Sequence, residues 1–197
     1  MTAIVGILLA AGIGRRFDQE GQRFKLTQAL TDDETVIARS ARQLRHVCDQ
    51  LIIVHGPRSA LSWQATEHID ALHLSCTQAN LGMGASLKSA IGALATPSTG
   101  WIVALADMPY IDPRTYDALL HALNDGCLLA RPRYQQQPGH PVALHRKLKA
   151  DLLALEDENG AQALFKRYRE HTCWIESDDP GCIMDIDVPD DLRPIRN

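Results

Sequence analysis

Two arginines, one lysine and three aspartates carry most of the chemistry that this sequence can do. Arg15, Arg16 and Lys25 follow a glycine turn in "LLAAGIGRRFDQEGQRFK", Asp107 ends the apolar run "WIVALAD", and Asp185 and Asp187 alternate in "CIMDIDVPDDL". Glycines let backbone N–H groups approach an anion, and an arginine adds charge-assisted hydrogen bonds to it. A carboxylate at the end of a buried strand suits a hard divalent cation. Asp107 and one aspartate of the 185/187 pair therefore offer two oxygen donors to one metal, with a phosphate as third partner.

Each of these groups also has a plainer use. Asp107 can cap the helix expected near Pro113, although Asp112, directly before that proline, fits the cap better. Asp185 and Asp187 fall on one face if "CIMDID" is a strand, because alternate residues point the same way. Asp187, Asp190 and Asp191 can equally serve the first turn of a last helix. The arginines after Gly12 and Gly14 can simply be solvated at a turn. The motif is not a dinucleotide fingerprint, since Arg15, Arg16 and Phe17 stand where a third glycine belongs, and no GxxxxGK[ST] loop is present.

Two further loops carry polar groups. In "NLGMGASLK", from Asn80 to Lys88, the backbone near Gly82 and Gly84, together with Ser86, can hold a base or a phosphate. The plain reading is a glycine turn with Ser86 as helix cap. In "PGHPV", Pro138 to Val142, His140 is set between two prolines, where it can donate to an anionic ligand or stand as an exposed loop histidine. The other seven histidines form no ligand pattern.

What must position these groups is an alternation of apolar runs and helical periods. "IVGILLA", "LIIV", "ALHLSC", "WIVALA" and "CLLA" read as buried strands. Between them Val36, Ile37, Ala41, Leu44 and Val47 share one helical face, as do Met83, Leu87, Ala90, Ile91 and Leu94, and then Tyr116, Leu119, Leu120 and Leu123. A polar helix is expected from Ser59. Strands alternating with helices predict a three-layer α/β fold, an open, mostly parallel sheet with helices on both faces. In such sheets ligands bind beyond the carboxyl ends of the strands, where the glycine loops, Gly56-Pro57 and Asp107 all fall. After Pro132 the pattern becomes a hairpin-like excursion over the sheet. Helices around 148–155 and 161–168, and two last short strands "CWIE" and "CIMDID", complete one domain over 1–197.

Composition narrows the class. The 197 residues are 45% hydrophobic and 22% charged, with a net charge of −4 and a pI near 6.0. An acidic balance excludes a general nucleic-acid binder. The apolar start is too short to span a bilayer and lacks a basic leader, so no membrane role is expected. The five cysteines show no zinc spacing and several stand in apolar runs. They read as reduced core thiols of a cytoplasmic protein.

Taken in order, "LLAAGIGRRF…K", "GMGAS", "ADMP", "PGHPV", "NGAQALF" and "DIDVPDDL" resemble the MobA-like nucleotidyltransferase family over nearly the whole chain. "PGHPV" followed by "NGAQALF" is most similar to the molybdopterin-handling branch, its molybdenum cofactor cytidylyltransferases in particular. The resemblance implies a Rossmann-like nucleotidyltransferase fold, with 1–130 for the nucleotide and 131–197 for the acceptor and terminal strands. It implies Mg²⁺-dependent transfer from CTP, or another NTP, to the terminal phosphate of molybdopterin, with release of pyrophosphate.

The resemblance assigns Leu9, Ala10, Ala11, Gly12, Gly14, Arg16, Lys25, Asn80, Gly82, Gly84 and Ser86 to the nucleotide. It assigns Arg16, Lys25 and Asp107 to catalysis, Asp107 and Asp187 to the metal, and Pro138, Gly139, His140 and Pro141 to the acceptor. Ala11 stands where guanylyltransferases have glycine, which favours CTP. A recipient molybdoenzyme or its chaperone is an implied partner. The loop before Lys25 is longer than in the family, which leaves Arg23 as a rival for its role. Asn159 and Gln162 replace an aspartate and an arginine of the relatives. Guanylyl transfer, transfer to a sugar or polyol phosphate, and a silent nucleotide- or cofactor-binding module are the competing readings.

Overall fold

The structure is a computed structural model that describes residues 3–193 apart from 13, 15, 19, 21–22, 57–58, 95–97 and 159. The sequence assignments at Arg15, Pro57 and Asn159 lie outside the described residues. The strands are β1 (Ala3–Ala10), β2 (Ala29–Thr31), β3 (Glu34–Thr35), β4 (Gln50–His55), β5 (Leu72–Ser75), β6 (Ser98–Leu105), β7 (Leu129–Tyr134), β8 (Gln137–Pro138), β9 (Val142–His145) and β10 (Thr172–Glu176). The helices are α1 (Val36–Val47), α2 (Ser59–Gln64), α3 (Met83–Ala93), α4 (Pro113–Asn124), α5 (Lys149–Leu153) and α6 (Gln162–Arg167).

The main sheet runs β10-β7-β9-β6-β1-β4-β5, with β8 paired to β7, while β2 and β3 form a separate ribbon. β1 pairs in parallel with both β4 and β6, and β10 in parallel with β7. Only β9, among the main-sheet strands on that path, runs against its neighbours β6 and β7. Strand alternation divides the core into two layers. Ile4, Leu8, Ile53, Ile102 and Ala104 pack with α1 and α4, whereas Val5, Ile7, Val54, Trp101 and Val103 pack with α3, α5 and α6. Helix starts follow local chemistry. Thr35 Oγ1 accepts from Ala38 N–H at the head of α1, and Asp112 accepts from Arg114 N–H at the head of α4, with Pro113 in its first turn.

Three expectations change. The 132–145 excursion does not lie over the sheet: β7 turns through Gln135 and Gln136 into β8, and β9 then inserts between β7 and β6. "CIMDID" is not a strand. Residues Pro180–Ile183 form a single 3-10 turn begun by Pro180, and 184–187 are irregular. The proline has no N–H for a ladder and Asp179 caps the turn at Gly181 N–H. Lastly, Cys127 and Cys173 form a disulfide, while Cys48, Cys76 and Cys182 are buried free thiols. Pairing of β7 with β10 brings the two cysteines together across 46 residues of sequence, a contact that a linear reading of apolar runs does not reveal.

Candidate active site

The parallel strands β1, β4 and β6 end at one edge of the sheet, and the chemistry gathers there. β9 runs the other way, so its beginning, not its end, reaches this edge. This is why the 138–141 loop joins the glycine loops. β1 delivers Leu9, Ala10 and Ala11 into the first loop, where Gly12 is exposed and Gly14 has φ +66°. Gly56, after β4, is needed for close approach: a Cβ there would stand 2.6 Å from the Ala11 carbonyl oxygen.

Lys25 is the centre of the site. It is 7% exposed, and its Nζ donates to Asp107 Oδ2 at 2.6 Å and to the Ile186 carbonyl at 3.0 Å. Asp187 Oδ1 is 3.8 Å from the same Nζ, and Arg16 Nη1 donates to Asp187 Oδ2 at 2.7 Å. Arg16, Lys25, Asp107 and Asp187 therefore come together from sites as far apart as 171 residues. Arg23 does not join them. It is exposed, with its guanidinium over the Phe17 ring and its N–H on Asp18.

Backbone chemistry holds the aspartates in place without a strand. Ile186 N–H donates to the Asp107 carbonyl at 2.9 Å, and Ile186 is fully buried. Asp191 then accepts from the N–H groups of Asp187 and Val188, both at 2.8 Å. Asp112 takes the helix cap, which leaves the Asp107 carboxylate to Lys25. Burial first, then the charges of Asp107 and Asp187, push the Asp185 carboxyl above its usual range. Three carboxylates thus gather around Lys25, with Arg16 on the outer one, Asp187. Hard oxygen donors concentrated in this way fit a divalent cation, which would draw on Asp107 and Asp187. Among the described residues no group of three or more His, Cys, Asp or Glu side chains forms a ready-made metal cage.

The second glycine loop leads into α3, with Gly82 (φ +136°) at its head. A Cβ on Gly84 would stand 2.7 Å from the Asp157 carbonyl oxygen, so the loop packs directly on 156–158. Asn80 is exposed, but Ser86 is not a cap: it lies inside α3 and is 2% exposed.

In the 138–141 loop Pro138 is exposed, while Gly139 and Pro141 are buried, and the His140–Pro141 bond is cis. His140 N–H donates to the Cys182 carbonyl at 2.7 Å. His140 is not an exposed loop histidine. Burial, then the charge of Arg131, pulls its imidazole down to about 4, so it is neutral near pH 7. It lines a cavity of about 70 Å³ with Leu9, Met83, Leu105, Arg131, Gln162 and Phe165. Arg131 was missed from sequence because it sits within an apolar strand pattern, "LLARPRY", with no motif to flag it.

An open, mostly parallel α/β sheet with basic side chains and paired carboxylates beyond its strand ends defines a protein of the nucleotide-handling class. The chain belongs to the MobA-like NTP transferase domain family, whose model matches residues 6–172. No curated protein matches the sequence. Among solved structures, Rv0371c from Mycobacterium tuberculosis is 25% identical, with a TM-score of 0.82 over 96% of this chain and 95% of that one. A second structure of Rv0371c, a complex with manganese, is 24% identical at a TM-score of 0.76, with 96% of each chain covered. A nucleotidyl transferase from Methanothermobacter thermautotrophicus shares the fold at 21% identity and a TM-score of 0.82, covering 96% and 94%. So does the molybdopterin-guanine dinucleotide biosynthesis protein A of Archaeoglobus fulgidus, at 17% and 0.66, covering 95% and 94%.

Proposed function

We propose that this chain transfers a cytidylyl group from CTP to the terminal phosphate of molybdopterin and releases pyrophosphate. An oxygen of the acceptor phosphate forms the new P–O bond at the α-phosphorus, and the bond to the bridging oxygen breaks with pyrophosphate leaving. The incoming phosphate is already anionic, so the reaction needs positioning and charge neutralisation more than a base. The observation that carries this reading is the Arg16–Lys25–Asp107–Asp187 constellation at the sheet edge.

In this reading Arg16 and Lys25 bind the triphosphate, and the first loop and the Asn80–Ser86 loop hold the rest of the nucleotide. Asp107 and Asp187 hold Mg²⁺, as their donor chemistry and the manganese complex of a neighbour support. When bound, the ion supplies Lewis-acid neutralisation of the phosphate oxygens. Ala11 at the end of the first apolar run supports cytosine over guanine. The molybdopterin acceptor is supported by the PGHPV and NGAQALF motifs and by the activity in a neighbour's name. We take residues 1–197 as one domain and keep the cytoplasm as its place on the resemblance alone, since the Cys127–Cys173 disulfide withdraws the reduced-thiol argument. Among the described residues no helix is long and apolar enough to cross a membrane.

Pyrophosphate release with each NTP, Mg²⁺ and molybdopterin tests this reading. Turnover with CTP, abolished in Asp107→Ala with circular dichroism unchanged, is the expected result. Preference for GTP would remove the cytidylyl assignment, and turnover only with sugar or polyol phosphates would remove molybdopterin.

A further inference from the structure

The cavity between β7, β9 and α6 contains an ionic group whose counter-charge the described residues do not supply. Arg131 is 8% exposed. Its Nε donates to the Gly139 carbonyl at 2.7 Å and its Nη1 to Gln162 Oε1 at 3.0 Å, both neutral oxygens. Its guanidinium lies over the Phe165 ring at 5.3 Å. Among the described residues no carboxylate is within ion-pair distance of it. A guanidinium carries five donors and stays charged, so burial beside neutral partners is costly unless an anion completes the pair.

A second observation points into the same space. His140 Nδ1 is buried with no hydrogen-bond partner among the described residues, and its ring lines the cavity beside Arg131. Near pH 7 the neutral imidazole can offer one N–H there without adding a second positive charge. The remaining walls are apolar: Leu9, Leu87, Val103, Leu105, Val142 and Phe165. Leu9 stands next to the last residue of β1 and Leu105 is the last of β6, so these two walls lie at the sheet edge, Leu105 two residues before Asp107.

We propose that Arg131, assisted by His140 and Gln162, forms an oxyanion seat for the far end of a flat, largely apolar ligand. The seat rests on Arg131, His140 and Gln162 and not on the proposed function. The seat also explains Gln162. A glutamate there would neutralise Arg131 internally and close it to ligands, whereas glutamine orients the guanidinium and leaves its charge available.

The test is methyl NMR on the full chain with ¹³C-methyl methionine. Met83 lines the cavity and Met108 directly follows Asp107, so two resonances report the two regions separately. The probes are benzoate, its neutral analogue benzamide, and inorganic phosphate. The seat predicts that benzoate shifts Met83 in a saturable way and that benzamide binds at least tenfold more weakly. It predicts that Gln162→Glu, which fills the seat without opening a hole, loses the benzoate response while remaining folded. Arg131→Met is the complementary variant and should lose it too.

Phosphate that moves Met83 in competition with benzoate also supports the seat, and assigns it to a free anion. Phosphate that moves only Met108, with benzoate on Met83, assigns it to a ring-borne anion. Equal binding of benzamide, an unchanged response in Gln162→Glu, or no Met83 shift with any probe overturns the proposal. Absence of pyrophosphate release with a persistent Met83 response would sink the transferase reading and leave the seat standing.

Discussion

Replacing Lys25 with methionine isolates the carboxylates around it. Lys25 is 8% exposed at its side chain, Asp107 is 23% and Asp187 is 39%. Removing one partner of a buried pair costs about 3–5 kcal/mol, because the other charge is left uncompensated. The half-open aspartates regain some solvation, so about 2–3 kcal/mol is expected here. For a chain of this size that is roughly 5–10 °C in the thermal midpoint.

The sign with pH identifies the cause. Asp185 already stands above its usual range through burial, and Lys25 holds it down; without the ammonium it rises further, and the folded variant binds more protons than the unfolded chain. The deficit relative to wild type should therefore shrink as pH falls from 7 toward 5. A divalent cation should do the same by occupying the oxygens: saturation to about 100 times its dissociation constant contributes about 2.7 kcal/mol. Circular-dichroism melts at both pH values, with and without millimolar MgCl₂ or MnCl₂, measure each effect. A Lys25→Met protein that melts like wild type refutes the reasoning. So does a deficit that neither acid nor cation relieves, since that would make Lys25 a packing residue and not a charge partner.

Other outcomes follow from the same geometry. His55 is fully buried, bonded to Ser62 and His73 at 2.8 Å each, and held down to about 4 by burial and then by His73. Its folded value lies below the unfolded one, so its contribution is complete above about pH 6.5 and is lost as pH falls toward 4. By pH 5 the loss is about 2 kcal/mol, read as a urea midpoint that falls more for wild type than for His55→Gln. The disulfide closes a loop of 46 residues, so Cys127→Ser with Cys173→Ser should lower stability by about 2–4 kcal/mol in denaturant titration. An equal midpoint with and without reductant would contradict that. Gly84→Ala drives a Cβ against the Asp157 carbonyl and should lower the melting midpoint, whereas Gly92→Ala, with open space around it, should not.

The elements that announce themselves in sequence are those whose cause is local. Each buried parallel strand is a continuous apolar run, α1 and α4 show their caps and faces, and Asp107 stands at a strand end. The failures have non-local causes. The β9 insertion depends on which neighbour a short strand chooses, and alternation alone cannot show that. The convergence of Asp187 on Lys25 rests on a backbone bond from Ile186 to Asp107 and on a carboxylate turn at Asp191. Neither leaves a periodic trace. Arg131 is hidden for the opposite reason: a single charge inside an apolar strand resembles an edge position until the fold closes over it.

The disulfide has a mechanical consequence. Cys127 precedes β7 and Cys173 lies at the start of β10, so the covalent link sits at the end of these strands remote from the crevice. The crevice ends, near Tyr134 and Glu176, are joined by hydrogen bonds, by the Arg133–Glu176 ion pair and by the Arg133 guanidinium over the Trp174 ring, with no covalent link. Any parting of these two strands to admit a ligand is therefore a fan-like spread with its pivot at the sulfurs, widest where Arg133 meets Glu176.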